Sequence, residues 1–334
     1  MNMKIGLIVA AIVVIALAVF FAPSITGQFA LQGEHKETNT VRMGSLPVIH
    51  ALPVYLAIEK GYFKDAGIDL QLVTLESPTQ IIDGIMQNKL DFTSTSGAAG
   101  ISAVANYKNP GKLKLYALSG GTISAPGEAV MIPIDSTLTS ISELKGKKLG
   151  IIGGSLQWKL LAKYLLAQNG LEADKDVTIV EIPIGTHVSA IASKQVDAIF
   201  TLEPVITTIQ SKGVGKILAN GPLEQTLADP FWPGAGIVST KFASENPTTT
   251  AKVIEIINKA TKEVNANPDA ARQYLKGHTS LTDDLISKVS IPMIKTCGEL
   301  SAQDIESLQK FYNIFTEYKA IDGTISANAI LSCK

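Results

Sequence analysis

Small hydroxyls, glycines and two histidines recur where this sequence passes from strand-like to helix-like patterning. Ser94-Thr95-Ser96-Gly97 follows a short buried run and precedes an alanine-rich helical stretch. Hydroxyls and free N–H groups at a helix start suit an anionic or polar group; ordinary N-capping uses the same residues. Gly153-Gly154-Ser155 sits between the run 149–152 and a helix beginning at Leu156, giving a second candidate anion cradle. Ser119-Gly120-Gly121 ends another strand, where glycine permits close backbone approach. His50, at the first strand-to-helix turn, could donate to an anion or stack on a ring, with Ala51 and Leu52 beside it. His187 opens a helix after the strand ending at Pro183. Glu203, before Pro204, could hold an amine or amidine, or accept N–H bonds at the next helix start. Trp232, in Asp229-Pro230-Phe231-Trp232-Pro233-Gly234, could stack on a ligand or cover a hinge. Trp158 reads as packing.

These residues suit recognition better than catalysis. No nucleophile–base arrangement and no metal-ligand spacing is visible, and the histidines at 35, 50, 187 and 278 do not cluster. The G-x-G-x-x-G fingerprint is absent, and no Gly-Lys-Ser/Thr follows the glycine pair, so neither dinucleotide nor P-loop binding is indicated. No cofactor is expected.

The positioning elements follow from periodicity. Residues 47–73 read as strand end, turn, helix and strand: Pro53 fits a first helical turn, Gly61 ends the helix, Gly67 closes a turn, and 68–73 alternate at strand period. In open α/β sheets ligands bind beyond the carboxyl ends of strands, which places residues 50–52 toward a ligand. Strand-like runs at 41–43, 70–75, 91–94, 114–119, 129–133, 148–152, 177–183, 198–201, 216–219 and 236–239 alternate with helical ones, predicting α/β architecture with mixed sheets. After about residue 247 the pattern is helical. Residues 79–96 and 186–204 echo each other: helix, polar turn, then a buried strand beginning at Asp91 or Asp197. Two lobes of one architecture are the reading.

The chain has 334 residues and a net charge of −1, with its charges mixed. That gives room for about two domains and argues against nucleic-acid binding, which needs a basic face. Residues 5–22, IGLIVAAIVVIALAVFFA, carry no charge. As a helix they would span roughly 27 Å, near the thickness of a bilayer core. Lys4 before them keeps the start cytoplasmic and exports the rest. No good cleavage site follows, so an uncleaved N-terminal transmembrane anchor is expected, with a signal peptide as the alternative. An exported compartment permits a disulfide between Cys297 and Cys333, the two cysteines of the chain.

Taken together, the motifs resemble the extracytoplasmic substrate-binding proteins of ABC importers, in the nitrate/sulfonate/taurine-type branch that also contains binders of thiamine pyrimidine precursors. The matching pieces are His50-Ala51-Leu52-Pro53, Ala57 to Asp69 (AIEKGYFKDAGID), Asn88-Lys89-Leu90-Asp91-Phe92, Leu144 to Ile151 (LKGKKLGI), Gln195-Val196-Asp197-Ala198 and Glu203-Pro204. The resemblance implies a two-lobed periplasmic-binding-protein type II fold with the ligand cleft between the lobes. Lobe one would then hold 39–125 and 242–334 and lobe two 126–241, while the apolar run itself gives a signal anchor or signal peptide over 1–30 and a tether over 31–38. The resemblance further implies a monomer, tethered outside the cytoplasmic membrane, delivering a sulfonate, nitrate, taurine-like or pyrimidine-type ligand to a permease and its ATPase. Enzymes of the thiamine-pyrimidine or menaquinone type on the same fold, and a membrane-tethered sensor, are the alternatives.

Overall fold

The computed structural model describes residues 37–332. The apolar run at 5–22 and Cys333 lie outside them, and with them the expected anchor. Among the described residues no helix is long and apolar enough to cross a membrane.

Two mixed sheets organise the chain. The first runs β12 (Met293–Thr296), β5 (Leu113–Gly121), β11 (Phe231–Ser239), β3 (Phe92–Thr93), β1 (Thr40–Ser45), β2 (Asp69–Thr74), with β4 (Gly97–Ala98) also on β11. The second runs β10 (Gly215–Asn220), β6 (Glu128–Pro133), β9 (Ala198–Leu202), β7 (Lys148–Ile152), β8 (Thr178–Ile182). In each sheet the early strands pair in parallel, β1 with β2 and β3, β7 with β8 and β9. Antiparallel strands then complete it. The α/β, two-lobed expectation holds.

Local sequence explains the first unit. Pro53 lies in the first turn of helix Leu52–Glu59, and Gly61 and Gly67 take φ of 74° and 72°, which side-chain-bearing residues disfavour. The next strand, β2, begins at Asp69 beside Thr40. The 20-residue helix Pro247–Ala266 buries Val253, Ile257, Ala260 and Val264, a stripe at helical spacing, in the core that also holds helix Leu52–Glu59. Residues 37 and 38, the end of the expected tether, are fastened to this helix start: Thr249 N donates to Glu37 (3.0 Å) and Thr38 N to Asn246 (2.8 Å).

The chain crosses between sheets at 122–127 and 221–230. β11 therefore pairs in the first sheet, whereas the expected division at 242 had put it in the second lobe; its hydrogen bonds to β5, invisible in one strand's sequence, decide this. The crossings are tied to each other. Gly127 N donates to Glu224 (3.0 Å), and Leu223 N donates to Glu128 (3.0 Å). Burial, then the neighbouring Glu224, raises the Glu128 carboxyl well above its ordinary range, so that it keeps its proton beside Glu224.

Candidate functional site

The lobe-one wall of the cleft grows from the carboxyl ends of β1 and β3. Leu46 and Val48 leave β1, and a single turn of 3-10 helix, Ile49–Ala51, presents His50. The His50 side chain is buried and its Nδ1 has no hydrogen-bond partner within the protein. Burial lowers its pKa to about 4, so the imidazole is neutral at pH 7. Beneath it lies a knot of hydroxyls: Ser94 Oγ is 2.9 Å from Ser45 Oγ and 2.7 Å from Ser96 Oγ, and Leu46 N donates to Ser96 Oγ at 2.9 Å. Thr95 Oγ1 donates to the His50 carbonyl, and Ser119 Oγ to the Thr95 carbonyl at 2.6 Å. Ser94, Thr95 and Ser119 thus hold the wall in place, while Ser96 and His50 line the cavity.

The opposing wall brings Ile152, Gln157, Trp158, Ile184 and Leu202 from the second lobe. Gln157, in the first turn of helix Leu156–Gln168, reaches across: its Oε1 accepts from Gly100 N (2.8 Å) and its Nε2 donates to the Pro233 carbonyl (3.0 Å). At the rim, Ser77 and Thr79 hydroxyls donate to the Gly154 carbonyl (3.1 and 2.6 Å). The lobes are closed on each other. They enclose an inner cavity of about 40 Å³ and, sharing Val48, Glu76 and Ile184 with it, an outer one of about 370 Å³. Both linings are largely apolar. Glu76, exposed at the mouth, is the one carboxylate among them, and neither lining contains a lysine or arginine.

Other expected site residues have occupations of their own. Ala51 and Leu52 turn into the core. Gly153 N donates to Ile182 (2.8 Å) and Gly154 N to Glu181 (2.9 Å), so this pair offers no free anion cradle; Ser155 caps the helix behind it through Trp158 N. His187 is fully buried, with Nδ1 at 3.0 Å from the Thr201 hydroxyl and Nε2 at 3.0 Å from the Ile182 carbonyl. Burial lowers it too, to about 4. Glu203 folds onto its own helix, accepting from Thr207 N (3.1 Å) and Thr207 Oγ1 (2.8 Å), with burial raising its pKa. Trp232 lies wholly buried in β11, next to the cavity's Pro233. Trp158 does pack, edge-on to Phe200, yet it also lines the cavity. Cys297 is disulfide-bonded, and Cys333 lies outside the described residues.

The residues that sequence reasoning missed are Gln157, Glu76 and the apolar wall. A polar residue in the first turn of a helix that follows a sheet strand was the available signal for Gln157, since such turns face the cleft.

A family model described as NMT1/THI5 like matches residues 49–271. A Bacillus subtilis (strain 168) protein named for aliphatic sulfonate binding is 30% identical over 337 residues, covering 98% of this chain and 95% of its own. The 4-amino-5-hydroxymethyl-2-methylpyrimidine phosphate synthase THI5 of Saccharomyces cerevisiae is 22% identical over 308 residues, covering 85% and 81%. The solved alkanesulfonate-binding protein SsuA of Xanthomonas axonopodis pv. citri, bound to MOPS, superposes with a TM-score of 0.71 at 19% identity, over 88% of this chain and 98% of that one. That likeness establishes a two-lobed, periplasmic-binding-protein-like fold. By the match over 49–271 and the full-length relative, this chain belongs to the NMT1/THI5-like family.

Proposed function

We propose that this protein is an extracytoplasmic substrate-binding protein of the type II class: it captures one small ligand between its lobes and delivers it to the permease and ATPase of an ABC importer. The observation that carries this reading is the closed cleft itself. Gln157 spans the two lobes beside a buried, unpartnered His50 nitrogen, an arrangement that a ligand completes and that opening of the lobes would release. The full-length relative named for aliphatic sulfonate binding supports the same role. Residues 5–22 would serve as the anchor that keeps a monomer at the outer face of the membrane.

The synthase reading has the THI5 relative in its favour. Against it, the cysteine-rich motif of those enzymes is missing, since the chain's cysteines are at 297 and 333. Thermal melting of the purified full chain with sulfonates, taurine, nitrate, amines and pyrimidines separates the two. A captured ligand at a hundred times its Kd adds about 2.7 kcal/mol of stability. No shift with any of them, together with turnover of a pyridoxal- or chorismate-derived compound, would overturn the binding role.

A further inference from the structure

The charges around the cleft point away from the anions that the sulfonate-named relatives bring to mind. We propose that this cleft takes an uncharged or singly cationic organic ligand with an apolar body, and excludes oxyanions such as sulfonates and nitrate. The inference rests on the substrate-binding reading and specifies its ligand.

Three sets of contacts carry it. First, an oxyanion needs positive charge or several free N–H donors, and the side chains of the walls offer no positive charge. No lysine or arginine lines either cavity, and His50, desolvated, stays neutral. Several donors that the fold brings to this place are already engaged. Gly153 N is bonded to Ile182, Gly154 N to Glu181, and Gly100 N, in the first turn of helix Ala99–Lys108, to Gln157. Ser94 and Ser96 hydroxyls bond each other. Second, the nearby formal charges are negative. Glu76 lines both cavities and Glu181 sits on Gly154. A sulfonate stays ionised at any working pH, and burying it unpaired among carboxylates is strongly unfavourable. Third, the walls supply what the proposed class requires. Val48, Ile152, Ile184, Leu202 and the Trp158 ring cover an apolar body. The unpartnered Nδ1 of His50 calls for one hydrogen-bonding group at the inner end, and Glu76 receives a positive charge at the mouth.

Three probes with one ring and different charge test this: benzamidine, benzamide and benzenesulfonate, titrated by calorimetry into the full chain. Benzamidine or benzamide should bind at least tenfold more tightly than benzenesulfonate. Glu76→Gln should weaken benzamidine about tenfold and benzamide by much less, while Glu76→Lys should admit benzenesulfonate. Glu76 is exposed, so both variants should fold; melting curves check this. Benzenesulfonate binding as tightly as benzamidine, or a melting shift with nitrate or an alkanesulfonate, would overturn the inference and leave the substrate-binding role standing. Binding of none of the three would overturn it as well. Turnover of a substrate would instead strike at the role.

Discussion

The two lobes enter their strands in the same way and leave them differently. In each, a helix ends in a left-handed residue that is not glycine, Asn88 (φ 57°) or Lys194 (φ 56°). Three residues later an aspartate receives the backbone N–H of the residue that precedes it by 49 positions: Arg42 N to Asp91 at 2.9 Å, Lys148 N to Asp197 at 2.8 Å. The aspartate's own N–H returns the bond to the same residue. The far ends diverge. β3 runs into the hydroxyl knot below the cavity wall, whereas β9 runs into Glu203, folded onto its own helix. The histidines diverge likewise. Both are buried and neutral, but His187 has two partners and His50 Nδ1 has none. The repeat is scaffold; the cavity lies where it breaks.

The histidines give the sharpest way to break this comparison. Their folded pKa values are lowered from 6.5 to about 4, so the stability they confer is fully present above about pH 6.5 and is lost as pH falls toward 4. Each should contribute about 3 kcal/mol to that acid limb, read by denaturant titrations across pH. His187→Leu at neutral pH should cost about 3 kcal/mol, because the Ile182 carbonyl and Thr201 hydroxyl lose their partner, and should leave ligand affinity within about threefold. His50→Leu should reverse the pattern, with stability within about 1 kcal/mol and affinity down at least tenfold, by calorimetry. Equal behaviour of the two would end the distinction between scaffold and site.

The aspartates come next. Asp91 is buried and also binds the Arg42 guanidinium, at 2.9 and 2.6 Å, while Asp197 is half-buried. Asp91→Asn should lower stability by about 2 kcal/mol and Asp197→Asn by about 1, in urea melts. Gln157→Leu should cost a similar 1–2 kcal/mol (roughly one to two buried bonds) and loosen the lobes, seen as a larger radius in small-angle scattering. The smallest effect concerns the tie between lobes. Because the Glu128 carboxyl is raised, its contribution is present below 4.5 and lost as pH rises through its folded value. Glu128→Gln should flatten the alkaline side of the stability profile.

The sequence by itself determined the alternation of elements, the turn after β1 with Pro53, Gly61 and Gly67, and the echo around Asp91 and Asp197. These are local matters of side-chain period and backbone conformation, decided within a few residues. It also put His50 and Ser96 at the strand-to-helix turns, and both line the cavity. It could not tell His50 from His187, or a free glycine turn from an occupied one. Those answers depend on Thr201, Glu181 and Gln157, whose partners arrive from 14, 27 and 57 residues away. Only the packed chain decides which polar groups find a partner and which are left without one, because a buried hydrogen bond is a property of two distant segments and not of either alone.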